Sequence, residues 1–141
     1  MTLDPATARA LVAPIYDALT HPGEKDVESL IKSVTTPDFQ SIGNEGEGVS
    51  RDAMIARFKG LADVIPDLTW TIKALFVAGD DTVVVRGEAT GTPVRTFLGA
   101  EPTGRSFRTM SIDLYTVADG KIVQSHHVEN WMAALRQLGG G

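Results

Sequence analysis

Apolar positions recur with a helical period through roughly the first half of the chain and alternate with polar ones through the second. Asp4 before Pro5 is a helix start, and Leu11, Val12, Ile15 and Leu19 then share one helical face. Pro14 is expected to kink or restart that helix. After His21-Pro22-Gly23, the segment DVESLIKSV keeps the period with Val27, Leu30, Ile31 and Val34 and predicts a second, shorter helix. TTPDFQSIGNEGEG reads as a short strand running into a loop. Ser50 then caps a third helix, RDAMIARFKGLADVI, with Met54, Ile55, Phe58 and Ala62 turned inward and Pro66 at its end.

From Leu68 onward β-branched and aromatic residues dominate, broken by turn signals. LTWTIKALFVA, TVVVRGEATG, RSFRTMSIDLYTV and KIVQSHHVEN predict four strands, mostly antiparallel, separated by GDD, the longer loop TPVRTFLGAEPTG, and ADG. NWMAALRQL closes the chain as a short helix, followed by a glycine tail expected to fray. The order helix, helix, strand, helix, then four strands gives an α+β class with helices packed on one curved sheet. No repeat or second composition divides the chain, so residues 1–141 are read as a single domain.

Composition narrows the function. With 43% hydrophobic and 22% charged residues over 141 positions, the chain is globular and long enough to bury roughly two thirds of the surface it exposes unfolded. A net charge of -5 has the wrong sign for gripping nucleic acid or an anionic membrane. The absence of cysteine excludes disulfides, thiolate metal sites and a catalytic thiol. The start MTLDPATARALVAPIYDAL has neither a basic opening nor an unbroken apolar run, so a cytoplasmic protein is expected. The glycines of GNEGEG sit in an acidic stretch outside any strand-glycine-helix unit, which argues against phosphate binding.

The candidate chemistry lies on the sheet. Side chains alternate faces along a strand, so residues 107 to 117 divide into a packing list, Arg108, Met110, Ile112 and Leu114, and a list apolar at its ends and polar in its middle. That second list holds Ser111, Asp113 and Tyr115 and suits a pocket wall, although a solvated sheet face gives the same alternation. Arg86 falls with Glu88, and Ser125 with His127 and Glu129. If ADG forms a three-residue loop, His127 lies opposite Ser111 with Asp113 one step along, and Arg86, Glu88, Asp113 and His127 share a cavity. A two-residue loop brings in His126 instead. The adjacent histidines of one strand point to opposite sides and do not ligate one metal, so no metal site and no cofactor are expected. A histidine held by a carboxylate is a usable acid or base near neutral pH.

The stretch RTFLGAEPTGRSFRTMSIDLYTVADGKIVQSHHVENWMAALRQLGG, with its FLGAEPTGRSF string, the D-x-Y before DGKIV and the LRQLG ending, resembles the SnoaL-like polyketide cyclases of the NTF2-like superfamily. The resemblance implies a cone: a curved, mostly antiparallel sheet wrapped around the N-terminal helices and enclosing an apolar cavity. It also implies a homodimer joined through the outer sheet face, where Met110, Ile112, Leu114, Ile122 and Val128 supply apolar surface. Cyclases of this kind close rings by an aldol step with an aspartate on or just after the last strand, where this chain holds His127 and Asn130. The related limonene-type epoxide hydrolases use an R-x-D pair, to which Arg86-x-Glu88 is similar.

The expectation is a cofactor-free protein taking a small apolar or polyketide-like carbonyl compound. His127 would move the proton, Asp113 or Glu88 would orient its ring, and Arg86 would stabilise enolate charge. Phe39, Ser41, Trp70, Ser111, Tyr115, Ser125, Asn130 and Trp131 are the candidate wall. A ligand-binding module without chemistry is the alternative, with epoxide hydrolysis a third reading.

Overall fold

Each α-helix begins where a short polar side chain can take up a free backbone N–H. In the computed structural model, which describes residues 3–139, Asp4 accepts from the Thr7 amide at 2.8 Å and opens α1 (Pro5–Ala18). Asp26, Ser50 and Asn130 do the same for α2 (Val27–Lys32), α3 (Arg51–Val64) and α4 (Trp131–Gln137). The final two glycines, expected to fray, lie outside the described residues. Pro14 does not break α1, which runs through it without interruption. The carbonyl left without a donor one turn back belongs to exposed Ala10, where water can serve it.

The six strands are β1 (Thr35–Asn44), β2 (Glu47–Ser50), β3 (Thr69–Ala78), β4 (Thr82–Gly91), β5 (Phe107–Ala118) and β6 (Lys121–Glu129). They form one curved, unclosed sheet in the order β2-β1-β6-β5-β4-β3. The β1–β6 pair is parallel and every other pair antiparallel. The segment expected to run from a strand into a loop is a hairpin, whose turn places Gly46 at φ 76, a conformation that glycine adopts without strain. The α+β class and the NTF2-like arrangement expected from the sequence are those observed.

The helices cover one face of the sheet. Ala8, Val12, Ile15 and Tyr16 of α1 and Met54 and Ile55 of α3 are buried, and with Phe39, Val83, Val85 and Phe107 they make the core. The opposite face stays open. One cross-sheet row on it runs Phe76, Val84, Leu114, His126, Ile42 in neighbouring strands.

The register of β5 with β6 decides which histidine faces inward. Asp119 and Gly120, at φ 51 and 77, form a two-residue turn, so that Ala118 pairs with Lys121 and Val117 with Ile122. A bulge follows, and the ladder resumes as Thr116 with Gln124. That extra residue shifts the pairing by one and exchanges the faces beyond it. His127 therefore stands directly opposite Asp113, and Glu129 opposite Ser111. The expected three-residue loop is corrected: it gave His127 the right face but paired it with Ser111.

Candidate active site

Between α1, α3 and the concave face of the sheet lies a cavity of about 190 Å³. Ile15, Leu19, Phe39, Met54, Phe58 and Leu61 make most of it apolar. Most of its polar groups are gathered on β5 and β6, with Tyr16 reaching in from α1, Ser41 from β1 and Arg57 from α3.

Asp113 is 6% exposed. The Tyr16 hydroxyl donates to its Oδ2 at 2.5 Å, and the Tyr115 hydroxyl donates to Tyr16 at 2.7 Å. Loss of solvation pushes the Asp113 carboxyl up to about 6, against the pull of the Tyr16 hydrogen bond and of His127, while the Glu129 charge adds to the rise. Both phenols are driven well above the usual tyrosine range, chiefly by burial, so they act as donors and not as bases.

His127 is held by its own strand. Its Nδ1 lies 2.7 Å from Glu129 Oε2, and the other carboxylate oxygen of Glu129 accepts from the Trp131 indole at 3.2 Å. The Glu129 hydrogen bond raises the imidazole above its ordinary value; burial and Arg57 oppose this, and the charges of Glu129 and Asp113 support it. The ring packs over the β1 backbone at Gly43, where a Cβ would stand 3.2 Å from its Cε1. A glycine there leaves space for the imidazole.

The structure brings Asp113, His127, Phe39, Ser41, Trp70, Tyr115, Ser125 and Trp131 into the cavity lining. It does not bring the others. Arg86 and Glu88 pair with Ile112 and Met110 and so lie on the outer face; Glu88 faces Lys73 and Arg108 there at 3.6 and 3.4 Å. Their proposed parts as enolate stabiliser and ring orienter are corrected. Ser111 is spent beneath the wall, accepting the Trp70 indole N–H at 2.9 Å, and Asn130 is the exposed cap of α4. Among the described residues no group of three or more histidines or acids stands close enough to hold a metal ion. No helix among them is long and apolar enough to cross a membrane.

Residues 10–138 match the family model of SnoaL-like polyketide cyclases. The chain belongs to that family. Among solved structures it is similar to TsrD from Streptomyces laurentii, with a TM-score of 0.84, 26% identity and 99% of each chain covered. It is also similar to IdmH from Streptomyces antibioticus, a candidate polyketide cyclase, with a TM-score of 0.78, 26% identity, and 94% of this chain and 98% of that one covered. A candidate SnoaL-like cyclase from Jannaschia sp. CCS1, 22% identical with a TM-score of 0.83 over 100% of this chain and 99% of its own, shares the fold. Among curated proteins no match is found.

In this SnoaL-like chain the sequence reading missed Tyr16 and Arg57 and did not give Glu129 its part. Glu129 carried a signal, since residues 125, 127 and 129 share a face of one strand. Tyr16 and Arg57 lie on helices far away in sequence, and no local pattern joins them to the sheet.

Proposed function

We propose that this SnoaL-like protein binds a small, largely apolar carbonyl compound and moves a proton on it without a cofactor, in a cyclisation or isomerisation. The observation that carries this reading is Asp113: a carboxyl sunk in the wall of an apolar cavity, with one oxygen fixed by Tyr16 and a histidine directly across the ladder. A desolvated carboxylate is a stronger base than one in water, and its titration near 6 leaves it mostly ionised at neutral pH.

The carboxylate takes the proton next to the substrate carbonyl. His127, shifted toward its charged form and oriented through Nδ1 by Glu129, donates a hydrogen bond to the oxygen that gains charge. The enolate then attacks a second carbonyl and the new alkoxide takes the proton back from Asp113, or, in an isomerisation, the enolate takes that same proton back at a different carbon. An apolar cavity of about 150 Å³ accepts benzene. The somewhat larger space here suits one ring or two fused ones.

A direct test uses α-tetralone in deuterated water, with the loss of the proton signal beside its carbonyl followed by NMR. Saturable exchange faster than in buffer alone is expected. Binding without exchange would instead favour the ligand-binding module, and absence of both would end the reading.

The reading includes a homodimer formed through the outer face. Phe76, Met110, Leu114 and Val128 are 61%, 50%, 41% and 61% exposed, a larger apolar presence than a solvated sheet face usually carries. Sedimentation equilibrium at micromolar concentration should give twice the chain mass; a single chain at high micromolar concentration would rule the dimer out.

A further inference from the structure

We infer that the ligand carries a compact anionic group, a carboxylate or its equivalent, and that Arg57 receives it in a polar annex beside the apolar chamber. The inference rests on the chamber proposed above and adds the chemistry of one end of its occupant. Met54, Phe58 and Leu61 project from α3 into the chamber at helical spacing. Arg57, one residue before Phe58, stands on the chamber's rim and also lines a second space of about 310 Å³ along the β1–β2 hairpin. Ser41 borders both as well, so the two spaces adjoin at these side chains.

The second space is built differently from the first. Gly43, Asn44, Glu47 and Gly48 line it with a single apolar side chain, Val49, so backbone and polar groups predominate. Arg57 is the one permanent cation in the lining of either space, and it has no hydrogen bond or ion pair among the described residues. Both oxygens of Glu129 are taken by His127 and Trp131, and Glu47, exposed in the lining of the second space, accepts from Asn44 through one oxygen. Ser41, 5% exposed, has a hydroxyl likewise without a partner among the described hydrogen bonds.

An unpaired guanidinium and an unpaired hydroxyl at the junction of an apolar and a polar space match a carboxylate attached to a ring. The guanidinium offers paired donors, the hydroxyl a third. Arg57 is exposed, so a neutral polar group would fit the space without drawing on its charge, whereas a carboxylate gains a charge-assisted pair.

The test compares 2-naphthoate with 2-naphthamide, equal in shape and different in charge, by titration calorimetry at low salt and neutral pH. Wild type should bind the acid about tenfold or more tightly than the amide, the range of a charge-assisted pair. Arg57→Gln should remove that preference, while Lys59→Gln, which takes the same charge from α3 outside both spaces, should keep it. Bound naphthoate should also raise the His127 titration in NMR, because it cancels the opposing charge of Arg57 while Glu129 and Asp113 stay as they were. Equal affinities for acid and amide in wild type, or a preference that survives Arg57→Gln, would overturn the inference. Amide binding with catalysed α-tetralone exchange would then leave the functional reading standing, whereas loss of binding by both ligands would remove the chamber itself.

Discussion

Asp113→Asn should slow α-tetralone exchange by about 10²- to 10⁴-fold, the usual worth of a positioned general base. The amide keeps the shape and still accepts from Tyr16, so the loss reports the proton acceptor and not the wall. In wild type the rate should follow a bell. It rises as Asp113 deprotonates near pH 6, and falls at higher pH as His127 loses the proton that Glu129 helps it keep. The two groups face each other and influence each other, so the limbs belong to the pair. With the neutral imidazole that the sequence reading made the base, activity would climb with pH and stay high. The Glu129 hydrogen bond favours the charged ring and exchanges the two roles. Unchanged activity in Asp113→Asn, or a profile without a high-pH fall, would return the base to His127.

The same substitution should change stability in the opposite direction from activity. Folding raises the Asp113 pKa from 3.8 to about 6, so the folded state holds its proton longer than the unfolded one. Stability therefore falls as pH rises between those values, by about 3 kcal/mol at most. Asn carries no such charge. Asp113→Asn should melt higher than wild type at pH 8 and lose that advantage toward pH 4. His127 has the same sign of shift with the opposite consequence of charge: its contribution is present below pH 6.5 and is lost as pH rises through its folded value.

What the sequence made legible were elements whose period is local. The helices came from apolar spacing and capping residues, and the strands from alternation. Alternation put Ser111, Asp113 and Tyr115 together on one face of β5, but a solvated face would alternate in the same way, so it did not settle that this face turns inward. Between strands the information is weaker, because one extra residue exchanges every face beyond it. The bulge between the 117–122 and 116–124 pairs is such a residue, and without it His126 would stand on the face of Asp113. Arg86 and Glu88 were misplaced for the same reason, since the alternation of β4 does not say which of its faces joins that of Asp113. Val83 and Val85, both fully buried, occupy the inner positions. Tyr16, 97 residues before Asp113, shows the other limit: its part exists only once α1 lies across the sheet.

Trp70→Ala should be the most damaging single truncation at the cavity wall. The indole is 9% exposed, meets Trp131 edge-on at a ring separation of 6.0 Å, and donates to the Ser111 hydroxyl at 2.9 Å. Gly87 on the neighbouring strand makes room for this, since a Cβ there would come within 2.7 Å of that hydroxyl and 3.1 Å of the indole nitrogen. Removing a buried aromatic costs about 3 to 5 kcal/mol, and leaving a buried hydroxyl without its donor about 1 to 3 more. Against a total of about 5 to 15 kcal/mol, that approaches loss of the fold. Trp70→Phe separates the contributions: it retains most of the ring and loses the hydrogen bond, so about 1 to 2 kcal/mol is expected. Urea unfolding of the two variants, with the slope of the transition compared to wild type, reads both. If Trp70→Ala cost less than about 1.5 kcal/mol, the indole would be a movable cover and not part of a packed wall. The cavity volume would then be set by the ligand and not by the sheet.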